Sequence, residues 1–370
     1  MAALGLTFGF LLAGSLVYCF LIIFAAMRFR RVVPRSSAEP VSVLKPLSGA
    51  DHGLETNLRS FFEQDYADFE LIFAVRTEDD AAISVVRKLQ SEHPGVAARL
   101  IVTGEPPYAN AKVFSIDRML AEARYSLLVM SDSDIRVDHG FLASIAAEFR
   151  DPAIALATCP YRAITGSSIW SELEALGMNT EFWGGVLVAR MIEGMKFAVG
   201  PTIVARREVF PAIGGCERLK DYLAEDFVMG KLAAEAGCQV ILARTVVEHH
   251  IGSETWKDTA AHRLRWVRST RRSRPAGYAG QIFTYPLPLA LLFCAVVPSS
   301  WPVLLITLVC RGFAAWAVAR RVLATRVSWA LLPLQDLVSF CFWIAGFFGN
   351  TIQWRGRRYW LREDGTFEVI

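Results

Sequence analysis

Charged residues are missing from three long stretches of this chain and dense between them. Residues 1–27 carry none, residues 275–310 carry none, and residues 327–354 carry only Asp336. Each stretch exceeds the roughly 20 residues that cross a hydrocarbon core, so the pattern predicts membrane-embedded segments flanking a soluble middle. Pro286, Pro288, Pro298 and Pro302 interrupt the second stretch, which is either one kinked span or a hairpin of two. The predicted organisation is an anchor over 1–27, a soluble domain with interfacial segments over 28–274, transmembrane segments over 275–354 and a basic tail over 355–370. The tail is expected on the same side as the soluble domain. Asp336 is costly in lipid; an acceptor contact and a helix–helix polar pair both account for it.

Inside the middle region the period alternates. Val41–Leu44 is a β-rich run that stops at Lys45-Pro46, and Phe69–Val75, Ala98–Val102 and 125–131 are further strand-like runs. Helical spacing falls between them, over 53–63, 80–91 and 112–123. Strands alternating with helices of this length predict an α/β fold with a mainly parallel, Rossmann-like sheet. Another strand is expected within 151–161 and a helix over 226–236. The stretch 167–195 is long and amphipathic, suited to core packing or to a membrane interface.

Composition agrees and adds orientation. Hydrophobic residues make up 53% of the chain and mean hydropathy is +0.33. The net charge of +3 is small, and no nucleic-acid partner is expected. Its placement is more telling: Arg28, Arg30, Arg31 and Arg35 follow the first apolar stretch, and Arg271, Arg272 and Arg274 precede the second. By the positive-inside bias the soluble domain is cytoplasmic, behind an uncleaved anchor. The segment 263–274 is basic enough to lie against anionic headgroups. Arginine is strongly preferred over lysine, which suggests a bacterial cytoplasmic membrane. Seven cysteines are scattered without a C-x-x-C pair, which argues against a disulfide framework or a zinc site.

Candidate chemistry gathers where strands end. After Leu127–Met130 comes Ser131-Asp132-Ser133-Asp134. Side chains two apart on an extended backbone point the same way, so Asp132 and Asp134 are candidates to share one hard divalent cation; solvated turn aspartates are the plain alternative. Glu225 and Asp226 open a helix, where capping is an equally physical reason for acids. His262-Arg263-Leu264-Arg265-Trp266 precedes the membrane, where anchoring alone also explains it. His249 and His250 are adjacent on a strand and point oppositely, which disfavours a shared ion.

Taken together, Lys45-Pro46-Leu47, Asn110-Ala111-Lys112-Val113, the D-S-D at 132–134, Leu223-Ala224-Glu225-Asp226 and Arg265-Trp266 resemble the ceramide glucosyltransferase family, membrane glycosyltransferases of the GT-A fold. The resemblance runs from Val41 to Trp266, and it extends to the bacterial hopanoid-modifying N-acetylglucosaminyltransferases; a processive polysaccharide synthase is a more distant relation. Two positions depart from the family pattern: Ala97 stands where an acid is usual, and His262 where Gln or Arg is. Both bear on donor and acceptor identity. The resemblance implies inverting transfer of a hexose from UDP-glucose to the hydroxyl of ceramide in the bilayer. It implies Mg²⁺ or Mn²⁺ on Asp132 and Asp134, and Asp226 as general base. Arg265 would stabilise charge on the leaving nucleotide and Trp266 would wall the sugar. Donor contacts fall to Lys45, Pro46, Glu78, Asp79, Lys112 and Glu225.

Overall fold

The computed structural model of the chain describes residues 2–29, 39–51, 53–252, 255–354 and 356–370. Arg30, Arg31, Arg35 and Arg355, expected as flanking charges, lie outside the described residues. The chain opens with α1 (Ala2–Arg28) and continues through β1 (Val41–Pro46), α2 (Leu54–Phe62), β2 (Phe69–Val75), α3 (Ala82–Glu92) and β3 (Ala97–Val102). Next come α4 (Ala111–Glu122), β4 (Leu127–Ser131), the short β5 (Ile135–Arg136), α5 (Phe141–Glu148), β6 (Ile154–Thr158) and β7 (Tyr161–Ile164). A long helix follows, α6 (Ile169–Gly177) passing through a π turn at Met178–Phe182 into α7 (Trp183–Glu193). Then β8 (Thr202–Arg206), α8 (Val209–Ile213), α9 (Glu225–Glu235), β9 (Gln239–Leu242) and β10 (Val247–His250) complete the soluble region.

Seven strands form one sheet in the order β3-β2-β1-β4-β8-β6-β9. Strands β1 to β4 are mutually parallel, as the alternation predicts, and β8 is inserted antiparallel between β4 and β6. That reversal matters for position: β8 begins at the edge where β1 and β4 end, so Gly200 and Pro201 reach the same edge as Asp132. Burial on both faces follows the strand period. Val41, Val43, Leu127 and Val129 pack with α1, α2, α3, α5 and α7, while Leu44, Leu128 and Met130 pack with α4, α8 and α9. Strands β5, β10 and β7 make a second, three-stranded sheet beside this edge.

Beyond it lie α10 (Trp256–Ser273), α11 (Pro275–Gly280), α12 (Pro286–Val296), α13 (Pro302–Trp316) and α14 (Leu332–Gly346). By length and composition Ala2–Arg28, Pro302–Leu323 and Trp329–Gly346 are candidate membrane spans, and Pro275–Thr284 with Pro286–Val296 form a pair bent by 66°. The stretch expected as one kinked span or a hairpin of two thus holds this bent pair and the start of Pro302–Leu323. Asp336 proves to be a helix–helix partner: Arg311 of α13 grips it from Nε at 2.9 and 3.0 Å and from Nη2 at 2.8 Å.

The segment expected as a basic tail contributes strands to a sheet: β11 (Thr351–Trp354), β12 (Arg357–Leu361) and β13 (Phe367–Val369) are antiparallel. It packs Ile352, Tyr359, Leu361 and Phe367 against Leu223. The basic segment 263–274 is likewise engaged by protein. Arg268 and Arg271 donate to the carbonyls of Phe347, Phe348, Gly349 and Thr351, and Arg271 and Arg272 share Asn350. These carbonyls belong to the C-cap of α14, the loop after it and the first residue of β11.

Candidate active site

Asp132 and Asp134 do not lie on extended backbone. Strand β4 ends at Ser131, where its ladder with β8 closes on Thr202. The next amide, Asp132 N–H, donates to Pro201 O at 2.8 Å, and Ile135 N–H folds back onto Asp132 O at 3.3 Å. The two aspartates therefore sit in a turn between β4 and β5, with Asp132 directed to Lys112 and Asp134 to His249. Lys45 is the main support. Its side chain is fully buried, with Nζ donating to Asp132 O at 2.6 Å and lying 4.0 Å from the Phe61 ring centroid. Asn57 Nδ2 donates to Ser133 O at 3.3 Å. Lys45 ends under the turn and holds it. Burial pulls its ammonium down to about 7, against the opposing pull of Asp132 and Asp134.

Lys112 joins two of the predicted acids. Its Nζ lies 2.7 Å from Asp132 Oδ1 and 3.1 Å from Glu225 Oε1. The preceding Asn110 caps α4 by accepting from Val113 N–H at 3.1 Å, and its Nδ2 donates to Tyr222 O at 2.8 Å. One N-cap residue thereby fixes both the lysine and the loop that delivers Glu225 and Asp226. Burial works against the charge on Lys112, but the carboxylates of Asp132 and Glu225 outweigh it and raise its affinity for the proton.

Asp226 occupies the first turn of α9 without capping it through Ala224. Its Oδ2 accepts from Gly200 N–H at 2.6 Å and its Oδ1 from Phe227 N–H at 2.7 Å. Gly200 has φ of 76°, a conformation natural to glycine, and a Cβ there would stand 3.3 Å from the Tyr161 ring. Helix α9 reaches this position because Gly230 lets it touch the chain: a Cβ at Gly230 would come 2.0 Å from Ala198 N. Asp226 is half-buried, beside a cavity of about 20 Å³ that Lys112, Gly200 and Glu225 also line. Burial, then the neighbouring Glu225 carboxylate, raise Asp226 to about 6.

Asp134 is served by a residue that the motif pattern did not single out as part of the site. His249 Nε2 lies 3.2 Å from Asp134 Oδ2. Burial disfavours charge on Asp134, but His249 and the nearby lysines more than offset it and hold the carboxyl below its usual range. The signal was present in Val247-Glu248-His249-His250, where strand alternation turns one histidine inward; His250 faces Glu248 at 3.3 Å instead.

An aromatic row leads away from this pair: His249–Tyr161 at 5.1 Å, Tyr161–Phe182 at 5.9 Å and Phe182–Trp266 at 5.8 Å between centroids. Trp266 ends this row, braced by His262 at 4.9 Å, whose Nδ1 contacts the Glu174 carboxylate. Arg265 lies over the Trp354 indole, 5.8 Å from its centroid. Glu78 and Asp79 stay exposed in the loop after β2, apart from the Lys112 cluster. The structurally engaged acid there is Asp80, whose carboxylate accepts from Gly49 N–H at 3.0 Å and Ala82 N–H at 2.9 Å. Pro46 ends β1 at the site edge, paired with Ala74. Ala97 pairs with Glu70 at the amino end of β3, opposite that edge, so the missing acid does not touch the site.

The family model described as glycosyl transferase family 21 matches residues 7–367. Ceramide glucosyltransferase 1 of Caenorhabditis elegans is 29% identical over 240 residues, covering 64% of this chain and 51% of that protein. Ceramide glucosyltransferase 3 of the same organism is 26% identical over 270 residues, covering 72% and 58%. The chain thus spans a little over half the length of these relatives. A solved mannosyltransferase from Pyrobaculum calidifontis, PcManGT in complex with GDP-Man and Mn²⁺, superposes with a TM-score of 0.54 at 17% identity over 93% of this chain and 99% of that one. That likeness shows a common GT-A fold.

Proposed function

The chain belongs to glycosyl transferase family 21, and on that premise we propose that it moves a hexose from a UDP-sugar, UDP-glucose first among them, to the hydroxyl of a membrane lipid such as ceramide, with inversion. The observation that carries the proposal is Asp226: a desolvated carboxyl raised to about 6, fixed by two backbone N–H groups beside the Lys112–Asp132–Glu225 cluster. A general base works best with a proton affinity near the operating pH. In this reading Asp226 takes the proton of the acceptor hydroxyl as that oxygen attacks the sugar.

Asp132 and Asp134 fit Mg²⁺ or Mn²⁺. Both offer hard oxygens, and Asp134 Oδ1 is buried without a protein hydrogen bond. Among the described residues no three His, Cys, Asp or Glu side chains gather as a metal site, which suits a cation that draws its remaining ligands from a diphosphate. When bound, the ion would neutralise charge on the leaving diphosphate. Lys112 adds positive charge beside the same carboxylate, Arg265 offers a planar fork for phosphate, and Trp266 walls off water.

The test is a donor-by-acceptor assay with the full-length protein in membranes, pairing labelled UDP-glucose or UDP-N-acetylglucosamine with ceramide or a hopanoid. Glucosylceramide formation that stops with EDTA and returns with Mn²⁺ is the expected result. Transfer of N-acetylglucosamine to the hopanoid alone would reassign donor and acceptor. No transfer from either donor would remove the activity. Full metal-dependent activity in Asp132→Ala would overturn the cation assignment.

A further inference from the structure

Helix α14, taken with the turn before it as Trp329–Gly346, has the length and hydropathy of a membrane span, yet both of its ends are tied to the catalytic side. The end of α1 enters that side, where Ala25, Ala26 and Phe29 join the core beneath β1 and β4. The chain then runs back along α1 through α12: a Cβ at Gly14 would meet Phe283, one at Gly9 would meet Phe293, and one at Gly5 would meet Val297. Residues after α12 therefore lie at the far end of α1. Helix α13 returns. Val303 and Leu304 pack near Leu11 and Leu12, whereas Val322 and Leu323 reach the core with Ile22 and Ala25.

Residue 328 is thus back on the catalytic side, and Ser328 Oγ donates to Glu172 Oε1 of α6 at 2.6 Å. The other end of α14 is on that side too. Arg268 of α10 holds the carbonyls of Phe348 and Thr351, Phe367 N–H donates to Asp221 O at 2.9 Å, and Thr366 bridges Tyr222. A helix that crosses a bilayer once has its ends on opposite sides; α14 does not.

Its side chains are sorted accordingly. Leu334, Leu337, Ile344 and Phe348 are exposed, Phe348 by 68%, and with Cys341 they recur every three or four residues along one face. The opposite face is buried and polar: Asp336 binds Arg311, and Gln335 accepts from Arg263 of α10 at 2.8 Å. The exposed stripe is of one kind with the outward side chains of the neighbouring α13, including Leu305, Ile306 and Phe313.

We infer that α14 lies within the leaflet on the catalytic side as a monolayer helix, with its Leu334–Phe348 stripe against acyl chains. The polypeptide crosses at α1, along α11–α12 and at α13, and then stays. Through Gln335 and Arg263 this helix ties the lipid layer to the α10 segment that carries His262, Arg265 and Trp266.

The experiment uses the full chain in sealed vesicles of both orientations. One protease site is inserted between Thr325 and Arg326, a second between Ser299 and Ser300, and a third follows Ile370. Protease that reaches the first site must also cut the third and spare the second. Cleavage of the third site together with the second would make α14 a span and overturn the inference. An independent arm needs no insertion. In a chain whose only cysteine is Cys341, a lipid-soluble maleimide labels and a water-soluble one does not. Rapid labelling by the water-soluble reagent would show that the stripe faces water, and the acyl contact would fall.

Discussion

At the scale of single residues the chemistry turns on how burial redistributes charge. Asp226 is raised to about 6 by desolvation and by Glu225, so it is protonated below that pH and unable to accept the acceptor's proton. Transfer is expected to rise with pH through about 6 and then level off, a limb that initial-rate measurements across pH would reveal. Lys45 illustrates what a motif alone cannot tell. Its position after a strand is plain in the sequence, but its total burial as a prop beneath the Asp132 turn is not. Lys45→Met should lower stability by about 1–3 kcal/mol, the cost of stranding a buried acceptor, measured as a drop in Tm. With the turn loosened, the KM for UDP-sugar should rise as well. His249 escaped the motif pattern for a related reason: a lone inward histidine on a strand resembles any packed core histidine until its partner, Asp134, is brought to it by a different sheet.

At the scale of elements, two glycines and one ion pair set positions. Gly230 allows α9 to lie against Phe197 and Ala198, which is what brings Asp226 to Gly200 N–H. Gly230→Ala forces the helix away, and the usual cost of overpacking is about 1–3 kcal/mol. Activity should fall further than that stability loss explains, as seen by comparing turnover with the folded fraction. The Arg311–Asp336 pair joins α13 to α14 in a dry setting. Arg311→Met strands a buried carboxylate and should destabilise by about 3–5 kcal/mol, while Arg311→Met with Asp336→Leu recovers most of it, read by thermal unfolding in detergent. The alternating strands, the helices between them and the apolar stretches were legible in the sequence because period and length encode them locally. The turn that carries Asp132 and Asp134 was not. Its shape depends on β8 running antiparallel beside β4, a pairing between residues about 70 positions apart in sequence.

At the scale of the whole molecule, the α/β domain, the long apolar helices and the C-terminal sheet meet around one edge. The sheet β11–β13 follows α14 and bears on Leu223, three residues before Asp226, so α14 and the loop that carries Asp226 are mechanically joined. Nothing in the basic composition of 355–370 foretold this, because the strands are held by contacts with Asp221 and Tyr222 far back in the chain. The central claim is that Asp226 is the base for lipid glycosylation on this edge. Its most direct test is the full-length Asp226→Asn protein in membranes, assayed for transfer from UDP-glucose to ceramide alongside UDP-glucose binding with Mn²⁺. Transfer should fall by about 10²–10⁴-fold with binding unchanged and the pH limb near 6 lost. Transfer at the unsubstituted rate, with the same pH profile, would contradict the assignment.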